Sequence, residues 1–537
     1  MRKFLTVAFL ATAIVAFPIL ALSRPADLGP GPRTLPSPQP PVPSTPPPGS
    51  ASSAARAWAS TESRSDFNLP QIGMAGANVL SPQQEYQIGV EIMNQARSEG
   101  AILDDPLVHE YIDNLGHDLS SHSDDPTLHF EYFVLNDPEI NALTLPGGFI
   151  GVNSGLILAT DNEDELAGVM AHETSHVTQR HIARTLEDQS NRSLLNIATM
   201  LGAILVAANS GNPDVAYGAI ATAQGAIIQH QITFTRSQEE EADRVGIQTL
   251  ARAGFPPQGM IEFFQKMMRS SALNGYDYIP EFLLDHPQDA TRMAYLMERA
   301  ADLHVPPRPN SRSYAIMKAR VRVLESNDPE NLVAFFNGAI GSRHGWDQDA
   351  ARYGLALTDV RINRGAEAVT LLQQLCDKYD DVVAFRTGLA DAQMAAGDIA
   401  TAKATYQRAM QLFPDSLPLT LSYARDLIEA NQPRNAINLL ISLSVQTNNK
   451  PDVLRMLAKA YEHAGNSAES HYYMSEYYYA TGLPAAAADQ LHIALATPGI
   501  DGMQRQRYQA RLERLQAWAK INRRSLKPAN DPNTPDS

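Results

Sequence analysis

Leu166, Val169, Met170 and Val177 fall three, four and seven positions apart, the spacing of one apolar face on a helix. Thr160 and Glu163 have the spacing of a capping box, so the helix is predicted to start there. A second helix is predicted to start at Ser237, with Glu240 at the same capping offset, and to end at Gly254-Phe255-Pro256-Pro257. Between the two, Leu194 to Ala208 and Ala216 to Ile228 are apolar runs broken by Asn209-Ser210-Gly211-Asn212-Pro213. Each is too short for an ordinary membrane span. A mobile lid, buried hairpin helices, and contact with a membrane surface all remain open for them. Upstream, Phe149-Ile150-Gly151-Val152 is short, apolar and β-prone after a Pro-Gly-Gly turn. It is expected as an edge strand able to pair with an extended substrate backbone; an interior strand is the alternative.

The second half has a different rhythm. Leu355-Ala356, Leu389-Ala390, Tyr423-Ala424 and Leu457-Ala458 recur every 34 residues, and Ala368, Ala402, Ala436 and Ser470 follow at a constant offset. Small residues at fixed positions let paired helices pack closely, and this is the tetratricopeptide period. About four to five repeats are expected across 310–500. Such arrays form concave surfaces for other polypeptides. Tyr472, Tyr473, Tyr477, Tyr478 and Tyr479 gather on one predicted helix, either as a contact surface or as packing. The fold class is therefore mainly α, a helical domain with a small β-sheet followed by an α-solenoid.

The ends are compositionally distinct. Met1-Arg2-Lys3 followed by apolar Phe4 to Leu22, with Ala21-Leu22-Ser23 as a cleavage site, predicts a signal peptide over 1–23; a retained anchor is the alternative. Residues 24–60 form a Pro-rich linker, and 525–537 a polar tail expected to be disordered. A formal charge of −16 argues against nucleic acid as a partner and against more than peripheral membrane contact. The only cysteine, Cys376, lies among Leu371, Leu372 and Leu375 and is expected to be a buried apolar residue.

The chemistry concentrates in His172-Glu173-Thr174-Ser175-His176. Two histidines four apart lie about 40° from each other around a helix, where both imidazoles can bind one metal ion. Glu173, beside the first, is placed to act as a general base. His181 falls about 180° around the same helix and is set aside. Glu239 and Asp243 share a face of the second helix, which makes Glu239 a candidate third ligand and Asp243 the acceptor orienting a ligand histidine. An acidic first turn favoured by the helix dipole explains the same composition.

The combination of HETSH with Glu239 to Asp243 resembles the HExxH zinc peptidases that include the HtpX heat-shock protease and the CaaX prenyl proteases. Asn141 to Val152 is similar to the family's NAxxxPGGxIxV segment, and Glu281 to Pro287 with Arg292 to its THPxxxxRI segment; Asp285 stands where threonine is usual. With the repeats, the layout resembles periplasmic members of that family that act on outer-membrane β-barrel proteins. The resemblance implies one Zn2+ per chain held by His172, His176 and Glu239, with Glu173 as base. It also implies that His286 can take the fourth zinc position and shut the site, with Arg292 nearby. It places the peptidase domain over 75–305 and the repeat domain over 310–500, the substrate strand at Gly148, Phe149, Ile150 and Gly151, and the chain in the periplasm. Stalled or unfolded outer-membrane proteins would be substrates, with chaperone-like help in assembly and the assembly machinery as a partner through the repeats. Rival readings are a scaffold or chaperone with a latent peptidase, and a purely structural zinc site.

Overall fold

The computed structural model describes residues 80–187, 235–274 and 280–525, all within one unit spanning Gln71–Ser537. The leader, the linker, the two apolar runs at 194–208 and 216–228, and the tail after Ser525 lie outside the described residues.

Helix α1 (Pro82–Ser98) starts with a capping box between Ser81 and Gln84, and α2 (Pro106–Ser121) with Asp105 as its cap. Three strands follow: β1 (Glu131–Leu135), β2 (Ala142–Leu145) and β3 (Phe149–Asn153). Their order is β1-β3-β2, with β3 parallel to β1 and antiparallel to β2. The expected edge strand is thus the central one. Phe149 faces Glu131 on one side and Leu145 on the other, so Phe149, Ile150 and Gly151 offer no free edge, and Gly148 only leads into the strand. The physical reason lies in the pattern: an apolar stretch without alternation suits a strand buried on both faces, and all five residues of β3 are buried. Among the described residues β2 is paired on one side only.

Helix α3 (Ser154–Ala159) intervenes before α4 (Glu163–Thr178), which carries the histidine pair. Thr160 closes α3, its hydroxyl donating to the Ile157 carbonyl at 3.0 Å, and Asn162 caps α4 instead. A nearer Asx side chain, accepting from the Glu165 N–H, displaces the predicted Thr160 cap. Helix α6 (Arg236–Arg252) is capped two residues earlier than expected, by Thr235 in a capping box with Gln238 rather than by Ser237. After the short α5 (His181–Glu187) and α6 come α7 (Gln258–Asn274), α8 (Glu281–Asp285) and α9 (Ala290–Asp302).

Every residue of α4 from Glu165 to His176 is buried, because α2, α6, α7 and β2 all pack on it. Gly168 makes this crowding feasible: a Cβ there would stand 2.7 Å from Cα of Met260 on α7.

Twelve helices then run from Arg312 to Ser525. Gly345–Arg361, Val383–Ala395, Leu417–Glu429 and Pro451–His463 carry the recurring small residue, and Ala356, Ala390, Ala424 and Ala458 are all buried. The array starts with Arg312–Glu325 and extends past the expected 500 to Gly502–Ser525, so Ser525 ends a helix and the tail starts after it. Cys376 is buried as expected, and burial pushes its thiol up to about 11. The tyrosines lie on Ser467–Ala480, where Tyr472 stacks on Tyr508 and Tyr473 on Tyr461, which favours packing over display. The array is fixed to the first half by buried Arg320, which donates to Asp105 from Nε and Nη2 at 2.7–2.9 Å, and by Arg455 donating to Asp104 at 2.7 Å.

Replacing Gly168 with alanine should destabilise the chain by about 1–3 kcal/mol through overpacking, read from the shift of the urea midpoint. An unchanged midpoint would contradict the close approach of α7 to α4.

Candidate metal centre

Helix α4 sets His172 and His176 one turn apart, with ring centroids 4.8 Å and Nε2 atoms 3.1 Å from each other. Helix α6 lies alongside and presents Glu239 from its first turn. Its Oε2 is 3.5 Å from Nε2 of His172 and its Oε1 is 3.5 Å from Nε2 of His176. The residue after α8 adds His286, whose Nδ1 is 3.0 Å from Glu239 Oε1 and 3.4 Å from His172 Nε2. One donor atom from each of these four residues lies within 4.8 Å of the others, and all four are buried. Glu173 faces the same point: its Oε1 is 3.4 Å from His286 Nε2. The structure therefore brings together all the residues that the sequence singled out for metal chemistry.

The donor set fits zinc, which takes imidazole nitrogen and carboxylate oxygen in a four-coordinate site. Oε1 of Glu173 is buried without a hydrogen bond, a costly condition that a cation beside it relieves. The electrostatics agree. Burial works against charge on His172, yet Asp243 and Glu239 beside it raise its pKa to about 10. Burial also works against charge on Glu239, but His286 and His172 hold its carboxyl well below the usual range. Burial dominates at His176 and drives it well below the usual imidazole value. The pocket as a whole is a slot for positive charge.

The surroundings fix these groups. Asp243, one turn beyond Glu239, lies 3.1 Å from Nδ1 of His172. Arg292, on α9 and almost fully buried, donates from Nε to Asp243 at 2.9 Å, and its Nη2 is 3.0 Å from Glu239 Oε2. Asp285 accepts from the Asn141 amide at 2.9 Å, which ties the end of α8 to the start of β2. Phe282 packs against the His286 ring, 5.0 Å between centroids.

Two further residues escaped the sequence reading. Thr144 on β2 donates to Oε2 of Glu173 at 2.9 Å; it lay inside a quoted segment, but only the sheet topology aims it at the base. His181 was placed on the far side of a continuous helix. In fact α4 stops at Thr178, Arg180 adopts φ 52°, and α5 begins at His181. The reversal returns the ring to within 2.9 Å of Nδ1 of His176. A left-handed arginine costs about 1 kcal/mol, and no glycine marks the turn, so nothing in the hydropathy pattern announces it. Of the acids that turn away from the cluster, Glu240 pairs with Arg236, while Glu241 reaches His181 at 3.2 Å.

Comparison with known proteins adds to the geometry. The family described as peptidase family M48 matches residues 106–300, and a tetratricopeptide repeat family matches 393–460. The beta-barrel assembly-enhancing protease of Yersinia pestis is 33% identical over 449 residues, 83% of this chain and 91% of that protein. Its namesake in Escherichia coli K12 is 31% identical over 447 residues, with the same shares. The mitochondrial metalloendopeptidase OMA1 of Saccharomyces cerevisiae is 28% identical over 221 residues, 40% of this chain and 56% of that protein.

Glu281, on the helix leading to His286, is raised from 4.5 to about 7 by burial, with Asp285, Asp137 and Glu139 adding repulsion. Between those values the folded chain keeps a proton that the unfolded chain has released, so stability falls as pH rises through the window and stays low above it. Glu281→Gln should therefore raise the thermal midpoint relative to wild type at pH 8 and much less near pH 4.5. A shift of equal size at both pH values, measured by circular dichroism, would rule this account out.

Proposed function

The chain belongs to the beta-barrel assembly-enhancing proteases, M48 metallopeptidases with tetratricopeptide repeats, and from that membership we propose a periplasmic zinc endopeptidase that cuts misassembled or unfolded outer-membrane proteins. The observation that carries this reading is the buried convergence of His172, His176, Glu239 and His286 on one point beside Glu173. His172, His176 and Glu239 would hold the ion. When bound, zinc would supply Lewis acidity toward the peptide carbonyl and toward water.

The protein's own groups supply the rest. Glu173 takes the proton of the attacking water and delivers it to the departing amine. Thr144 occupies its Oε2, so Oε1 is the atom aimed at the centre. Asp243 stands 3.1 Å from Nδ1 of His172 and so favours the ring with Nε2 inward, while Arg292 holds Asp243 and Glu239 in place against their mutual repulsion. The substrate backbone is offered the side of β2 that is unpaired among the described residues, a strand that lies against α4 and carries Thr144; this replaces the β3 assignment.

His286 completes the donor set at rest and keeps the site shut until substrate or a partner draws it away. The repeats would hold unfolded barrel proteins or their assembly machinery, with chaperone-like help in assembly. Because the resting site is closed, a scaffold whose peptidase stays latent is the second reading.

Cleavage of casein and of an unfolded β-barrel protein, measured with zinc content, tests these readings. Glu173→Gln should lose about 10²–10⁴-fold in rate with zinc retained, as expected for loss of a general base. His286→Ala should cut faster than wild type. If zinc is bound and no form cuts, the scaffold reading replaces this one; if His286→Ala with intact zinc is no faster, the latch is wrong.

A further inference from the structure

We propose that His181 and Glu241 set the tautomer of His176, forming a hydrogen-bond relay that commits Nε2 of that histidine to the metal; the proposal rests on His176 being a ligand. The two Nδ1 atoms are 2.9 Å apart, a distance that requires one N–H and one lone pair. Glu241 decides which is which. Its Oε2 lies 3.2 Å from His181 Nε2, and its carboxylate also accepts from Arg184 Nη1 at 2.8 Å. An ionised carboxylate only accepts, so the His181 proton stands on Nε2 and its Nδ1 is the lone pair. The proton between the rings is then on Nδ1 of His176, and Nε2 of His176 turns its lone pair toward His172 and Glu239.

The backbone is built to present this ring. Arg180 is in the left-handed region, and its side chain donates to the Leu80 carbonyl at 2.8 Å and to Glu85 from Nε at 3.1 Å, fixing the reversal between α4 and α5. Gln238 donates to the His181 carbonyl at 3.3 Å and to Thr185 at 3.2 Å, joining α5 to α6. One helix thereby serves both histidines. Asp243 acts on His172 directly, Glu241 acts on His176 through His181, and Glu239 lies between them facing the centre. His181 is a positioning residue: it touches the ligand and not the reacting atoms.

Zinc affinity of the full chain, measured by competition with a chromogenic chelator, tests the relay, with thermal unfolding of the metal-free forms run alongside. His181→Leu removes the acceptor and should weaken zinc binding about 10–100-fold. His181→Asn places an amide oxygen where Nδ1 stood and should bind zinc nearly as tightly as wild type. Glu241→Ala, at a partly exposed position, should weaken binding about tenfold and carries the test if His181→Leu does not fold. Wild-type affinity in His181→Leu or Glu241→Ala, or equal weakness in His181→Asn and His181→Leu, overturns the relay. His176→Ala separates the two levels: loss of tight zinc there, with wild-type affinity in His181→Leu, sinks the relay alone, whereas retained tight zinc removes the ligand reading and the relay with it.

Discussion

The buried contact between α4 and α6 governs the peptidase half. It sets Glu239 and Asp243 against His172 and His176 with all four side chains nearly inaccessible to water. Two carboxylates and Glu173 in such a place would be expelled or protonated unless positive charge accompanies them. Arg292 supplies one permanent charge, and the histidine cluster can add more, as protons or as a metal ion. Much of the surrounding fold serves this arrangement. The glycine at 168 lets α7 close over α4, the reversal at Arg180 returns a third imidazole to within 2.9 Å of His176, and the end of α8 brings His286 to within 3.0 Å of Glu239.

The same arrangement links chemistry to regulation. Glu239 is touched by His172, His176, His286 and Arg292 at once, so moving His286 alters the field at the ligand set as well as the access to it. His286 is carried by a five-residue helix whose position depends on Asn141 at the start of β2 and on Phe282 packing. A strand added at β2 would therefore meet the element to which His286 is tied. The repeats, fixed through Asp104 and Asp105 at the start of α2, stand on the same body as the catalytic helices.

What was legible in the sequence was whatever a local period can encode. His172 and His176, and Glu239 and Asp243, are each a single helical turn, so spacing alone puts each pair on one helix face; for the acidic pair the same string also reads as an ordinary first turn, and the family resemblance decided between the two. The alanines at 34-residue intervals were legible because each repeat imposes the same steric demand; the outer repeats were expected to be degenerate, and only the last helix, Gly502–Ser525, which carries no copy of the pattern, was missed. Non-local pairing was not legible. Phe149 to Val152 gives the same string whether it lies at an edge or in the centre, and only the presence of β1 on its other side decides. His181 was lost for a related reason: extrapolating a regular helix past Thr178 sends it to the wrong face, and the left-handed turn rests on an arginine held by α1. Thr160 was claimed by a short helix with no strong signal of its own.

Zinc-edge X-ray absorption on the resting full chain, compared with His286→Ala, tests the central claim most directly. The account predicts three imidazole ligands and one carboxylate at about 2.0–2.1 Å, falling to two imidazoles in the variant. Two imidazoles in the wild type, unchanged on removing His286, would contradict a centre closed by its own histidine.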